Sequence, residues 1–127
     1  MDDLVTWLGQ QLDVDEQTAT DRGRLAGDVW SAVEVAPGRW EVVGAGGRGV
    51  VAQGLPRWEA EHIARHDPAQ TLAEVEAKRR LLLQFELRGN VVRGTVQPST
   101  GGVWDDLLRM LALPYADRPG YRNEWQP

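Results

Sequence analysis

Residues Gly54–Glu86 read GLPRWEAEHIARHDPAQTLAEVEAKRRLLLQFE. One dipeptide organises the stretch. Asp67 before Pro68 fits an N-cap residue followed by proline at the first helical position, where the missing N–H costs nothing. Gln70 then falls where its amide reaches back to the cap, as in a capping box. The spacing predicts a short helix, a sharp break at Asp67-Pro68 and a long helix. At about 100° per residue, Leu72, Val75, Leu82 and Leu83 share one face of the long helix, with Arg79 and Glu86 in its middle. Glu74–Lys78 and Glu76–Arg80 are acid-before-base pairs at i,i+4, each worth about 0.2–0.5 kcal/mol. Arg88-Gly89-Asn90 marks the expected end of that helix.

Upstream, Asp2 and Asp3 sit where a helix N-terminus favours negative charge. Leu4, Val5, Leu8, Leu12 and Ala19 follow on one face, so an amphipathic helix is expected from Asp3 to about Thr20, with Gly23 as its stop. From Asp28 the period changes to two. Val29, Val33 and Val35 fall on one side, and Trp30, Ala32 and Glu34 on the other. Ala36-Pro37-Gly38 is a turn, RWEVVG a second strand, AGGR a second turn and GVVAQ a third strand. Two tight connections in a row imply an antiparallel meander with helices on one face. The glycines from Gly44 to Gly49 precede no helix and carry neither GxGxxG nor a Walker lysine, so a hairpin is preferred to a phosphate loop.

Downstream, VVRGTV reads as an extra strand and Gln97 to Gly102 as a loop. Val103, Trp104, Leu107, Leu108, Met110 and Leu111 form a wide apolar helical face opposite Asp105, Asp106 and Arg109, ended by Pro114. The tail is rich in proline and glycine, yet holds Tyr115, Tyr121 and Trp125. Disordered segments are poor in aromatics, so the tail is expected to be ordered and to cover apolar surface left by the long helix. The fold class expected is α+β: a single domain over residues 1–127, with a three-stranded antiparallel meander over Asp28–Gln53 and about four helices.

Composition narrows the function. A net charge of −5 and a pI near 5.0 argue against a general phosphate-backbone binder. Against that stand only the basic cluster Lys78-Arg79-Arg80 and the segment Arg88–Arg93. No cysteine is present, which removes disulfides and thiolate metal sites. No apolar run approaches the ~20 residues that span a bilayer, and the opening MDDLVTW is acidic where a signal peptide is basic. A cytoplasmic protein is expected.

Three places hold chemistry-bearing residues. His62 and His66 are spaced i,i+4, which puts both rings on one helical face, as metal-binding helices require. Trp58 and Glu59 fall on the same side. The structural expectation is that His62 packs on Trp58 and His66 closes the Asp67 turn. The alternative is a metal site of Glu59, His62 and His66, although no HExxH is formed. Arg79 interrupts the apolar stripe, so it either snorkels outward or pairs with a carboxylate, with Glu86, Asp105, Asp106 or Asp117 as candidates. Tyr115, Asp117, Arg118, Tyr121 and Trp125 form either a recognition surface or an aromatic clamp over the core. No catalytic set assembles, since Ser31 and Ser99 lie beside no histidine and in no nucleophile elbow.

The opening MDDLVTWL, the central HIARHDPAQTLAEVEAKRRLL and the closing LALPYADRPGYRNEW together resemble a family of short proteins of unknown function from actinobacteria and their phages. They cover roughly half of the chain. Relatives of that kind often carry cysteines between the long helix and the closing motif, where Glu86–Gly102 has none, so the resemblance implies no thiolate zinc site here. It supplies context rather than a reaction. The function expected is a non-catalytic protein-interaction or accessory factor of phage or mobile-element type. It needs no cofactor, and its partner is another protein or a second copy of the chain, with nucleic acid disfavoured. The alternative is a metal-binding regulator or metal-dependent enzyme centred on His62 and His66.

Overall fold

The computed structural model describes residues 2–94 and 101–127. A helix Asp2–Ala26 (α1) leads into strands Trp30–Ala36 (β1), Arg39–Gly44 (β2) and Val50–Leu55 (β3). Helices Arg57–Arg65 (α2), Pro68–Gly94 (α3) and Gly101–Ala112 (α4) follow, and single 3₁₀ turns shape the tail. The strands form one antiparallel sheet in the order β1-β2-β3, with Trp30 opposite Gly44 and Trp40 opposite Leu55. The fold class is α+β, as expected. Residues 14–76 make one compact unit, and residues 1–13 with 77–127 another.

Within residues 14–76 the core lies between the sheet and α2. Trp30, Val42 and Ala60 are buried, with Ala32, Trp40, Leu55, Ile63 and Ala64 packed around them. Strand alternation sends Trp30 and Ala32 inward and leaves Val33 and Val35 exposed. The joint between α2 and α3 is tied to the sheet by one carboxylate. Asp67 Oδ1 accepts the Gln70 N–H at 2.8 Å, and Oδ2 accepts the Trp30 N–H at 3.1 Å. Ala69 N–H donates to the Asp28 carbonyl at 2.9 Å. The expected cap is therefore formed and also pins the start of β1. The Gln70 side chain reaches forward instead of back to the cap, its NH₂ donating to Glu74 at 3.1 Å.

Several boundaries differ from expectation. α1 runs through Gly23 and stops at Gly27, whose φ of 79° gives the left-handed turn a helix end needs. Its N–H closes back on the Gly23 carbonyl at 2.9 Å. α3 passes Arg88-Gly89-Asn90 and reaches Gly94. A helical glycine costs about 1 kcal/mol against alanine but does not by itself end a helix. Val91–Gly94 are thus helical rather than strand, and Gly101-Gly102 open α4 rather than close a loop. The other residues of the expected strand and loop, 95–100, lie outside the described residues. Leu83 was expected on the buried face with Leu82, but it is exposed while Leu82 and Val75 are buried.

In the second unit, Leu4, Trp7, Leu8 and Leu12 of α1 are buried, as are Leu82, Leu108, Ala112, Tyr115 and Trp125. The tail is ordered; Tyr121 and Trp125 gather on α1, while Tyr115 meets the long helix. Trp7 lies 5.6 Å from Tyr121 and 5.4 Å from Trp125 between ring centroids. Its indole N–H donates to the Pro119 carbonyl at 3.0 Å. Gly120 makes this approach possible: its φ is 90°, and a Cβ there would stand 2.7 Å from the Trp7 nitrogen. α3 meets the tail at Tyr115, whose hydroxyl accepts from Lys78 Nζ at 2.6 Å.

Candidate functional site

α2 is pinned by its inner side. Ala60, Ile63 and Ala64 face the sheet, so helix geometry turns Trp58, His62 and Arg65, at i, i+4 and i+7, to the opposite side. Trp58 is 73% exposed, and it is the one exposed tryptophan of the chain's six. His62 and His66 are exposed, with ring centroids 4.4 Å apart. The expected packing of His62 on Trp58 thus gives way to packing between the two imidazoles. His66 does close the turn, as expected: its N–H donates to the Ile63 carbonyl and its Nδ1 lies 2.8 Å from the His62 carbonyl. A carbonyl only accepts, so Nδ1 is the donor in this contact.

Charge on this face is partly neutralised. Arg57 Nε donates to Glu61 at 2.9 Å. That hydrogen bond holds the Glu61 carboxyl below its usual range and raises the Arg57 guanidinium above its own. Glu59 is half-buried, and among the described residues no group of three or more His, Asp or Glu side chains is placed to hold a metal ion. Glu59 therefore does not join the two rings as a third ligand. Beside His66, a depression of about 80 Å³ is lined by Asp15, Thr18, Arg22 and Thr71, with Ala19 and Pro68 at its base. The first N–H groups of α3 do not open into it as donors. Ala69, Gln70 and Thr71 give theirs to the Asp28 carbonyl, the Asp67 carboxylate and the Asp67 carbonyl.

The other candidate residues lie in the second unit. Arg79 pairs with Asp13 of α1 at 2.7 Å, an exposed contact. The carboxylates expected, Glu86, Asp105, Asp106 and Asp117, were all on later parts of the chain; helical periodicity does not reveal a partner 66 positions away. Tyr115 and Trp125 are buried, and Tyr121 is half-buried. Arg118 lies over the Tyr115 ring at 4.6 Å, Arg122 over Trp125 at 5.2 Å, and Asp117 is exposed. The tail is tied to α1 by the Trp7 ring contacts with Tyr121 and Trp125, by Arg122 donating to Asp3 at 3.1 Å and by Arg118 donating to Gln11. Sequence reasoning placed Trp58, His62 and His66 together but passed over Arg65, although the 58-62-65 spacing was there to be read.

Residues 1–127 match the Family of unknown function (DUF6221). The chain belongs to DUF6221. No curated protein and no solved structure matches it. In this DUF6221 chain, the outward side of α2 and its C-cap gather an exposed tryptophan, an arginine and two histidines with neighbouring, tilted rings, on a helix packed by its inner side. No helix among the described residues is long and apolar enough to cross a membrane.

Proposed function

We propose that this DUF6221 protein is a non-catalytic binding module that engages an acidic segment of a partner protein through the outward side of α2. Its setting is that of a cytoplasmic accessory factor of phage or mobile-element type. One observation carries the proposal: Trp58 stands 73% exposed on a helix whose other side is packed. Burying a tryptophan removes a large apolar area from water, and interface hot spots are enriched in Trp and Arg. Arg65 beside Trp58 favours carboxylates, which gives the partner's charge.

A photo-crosslinking residue placed at position 58 tests this in cells, with the same residue at Leu25, 90% exposed and away from this side of α2, as control. One adduct formed from position 58, absent from the control and lost on Arg65→Glu, supports the proposal. The same adducts from both positions, or none specific to position 58, overturn it.

A second reading, a metal-binding regulator or metal-dependent enzyme centred on His62 and His66, is favoured by the Nδ1–H to carbonyl bond. Such a bond fixes the tautomer and leaves Nε2 free to ligate. Calorimetric titration of the chelator-free protein with Zn²⁺ tests it. One tight equivalent abolished by His62→Ala would support it, and the absence of saturable binding would end it.

A further inference from the structure

α4 is apolar on two sides. Leu108 and Ala112 are buried inside their unit, yet Val103, Leu107, Met110 and Leu113 are 68%, 48%, 57% and 50% exposed. Val103, Leu107 and Met110 stand at i, i+4 and i+7, which makes one stripe along α4, and Leu113 opens the 3₁₀ turn that follows. Its flank is charged: Asp106 and Arg109 lie on the same side of it, with carboxylate and guanidinium 3.9 Å apart.

We infer that this stripe pairs antiparallel with α4 of a second copy of the chain. Two-fold symmetry brings each flank of the stripe against its own equivalent. A flank with one acid and one base three residues apart then complements itself. With the axis passing close to Leu107, Asp106 of each copy faces Arg109 of the other, and Val103 comes near the partner's Leu113. A parallel pairing would set Asp106 and Arg109 against the opposite flank, where Trp104 and Leu111 offer no charge. The stripe exposes roughly 400 Å² per copy, about half of the ~800 Å² per partner of a standard interface, so the dimer is weak and reversible.

Sedimentation equilibrium of the full chain over a concentration series tests this. The wild type should follow a monomer–dimer equilibrium, and Met110→Glu should sediment as a monomer. Asp106→Arg should weaken association about tenfold through like-charge contact, and adding Arg109→Asp should restore it. Because the chain has no cysteine, Leu107→Cys should form a disulfide-linked dimer under mild oxidation, and Trp58→Cys should not. A wild type that stays monomeric up to its solubility limit overturns the inference. So does a dimer indifferent to Met110→Glu and to the charge swap. Melting curves of each variant separate lost pairing from lost folding.

Discussion

Asp67→Ala removes two acceptors at once. The N-cap to Gln70 N–H is worth about 1 kcal/mol in comparable helices. The second acceptor serves the Trp30 N–H, a buried contact at 3.1 Å. Leaving such a donor unpaired adds about 1–3 kcal/mol. The substitution should therefore cost roughly 2–4 kcal/mol, well above an ordinary cap loss. With a urea slope of about 2 kcal/mol/M, the middle of the range for small proteins, the midpoint should fall by about 1–2 M at unchanged slope. Asp67→Asn keeps one carbonyl oxygen able to cap α3 but turns an NH₂ group toward the other N–H, so it should fall between wild type and alanine. A midpoint shift below about 0.5 M for Asp67→Ala, or equal losses for Asn and Ala, would refute the double role of this carboxylate.

Gly44→Ala would drive its Cβ into the backbone carbonyl of Ala26. Overpacking of that kind costs about 1–3 kcal/mol, read as a lower melting temperature. Trp125→Ala, which empties the aromatic cluster with Trp7 and Tyr121, should cost about 3–5 kcal/mol in urea. Deleting residues from Pro114 onward should lower the melting temperature further or render the protein insoluble. Trp58→Ala should leave stability within about 0.5 kcal/mol, because the side chain is exposed. A large thermal shift there would make Trp58 a structural residue.

Local features were legible in the sequence. The Asp67-Pro68 cap depends on neighbours within four residues, and the meander on a period of two with turns between, so both could be read from spacing. Stops were harder: Gly23 and Gly89 looked like helix ends, but a glycine ends a helix only where the chain turns left-handed, as at Gly27. Which apolar residues face inward was not legible where a helix is apolar on two sides. Leu82 is buried and Leu83 exposed, Leu108 buried and Leu107 exposed. Partners distant in sequence were invisible for the same reason. Asp13 for Arg79 and Trp7 for the tail aromatics follow from folding, not from spacing. At the candidate site, the shared face of Trp58, His62 and His66 was readable from helical geometry, but its outward direction required the Ala60–Ile63–Ala64 contact with the sheet.

The most direct measurement is the equilibrium dissociation constant of wild type and Trp58→Ala for the protein crosslinked at position 58, taken alongside their melting temperatures. If Trp58 anchors the interface, its removal should weaken binding by about thirtyfold or more, the loss of a hot-spot residue worth about 2 kcal/mol, at an unchanged melting temperature. Affinities that agree within about twofold would contradict an interface centred on Trp58.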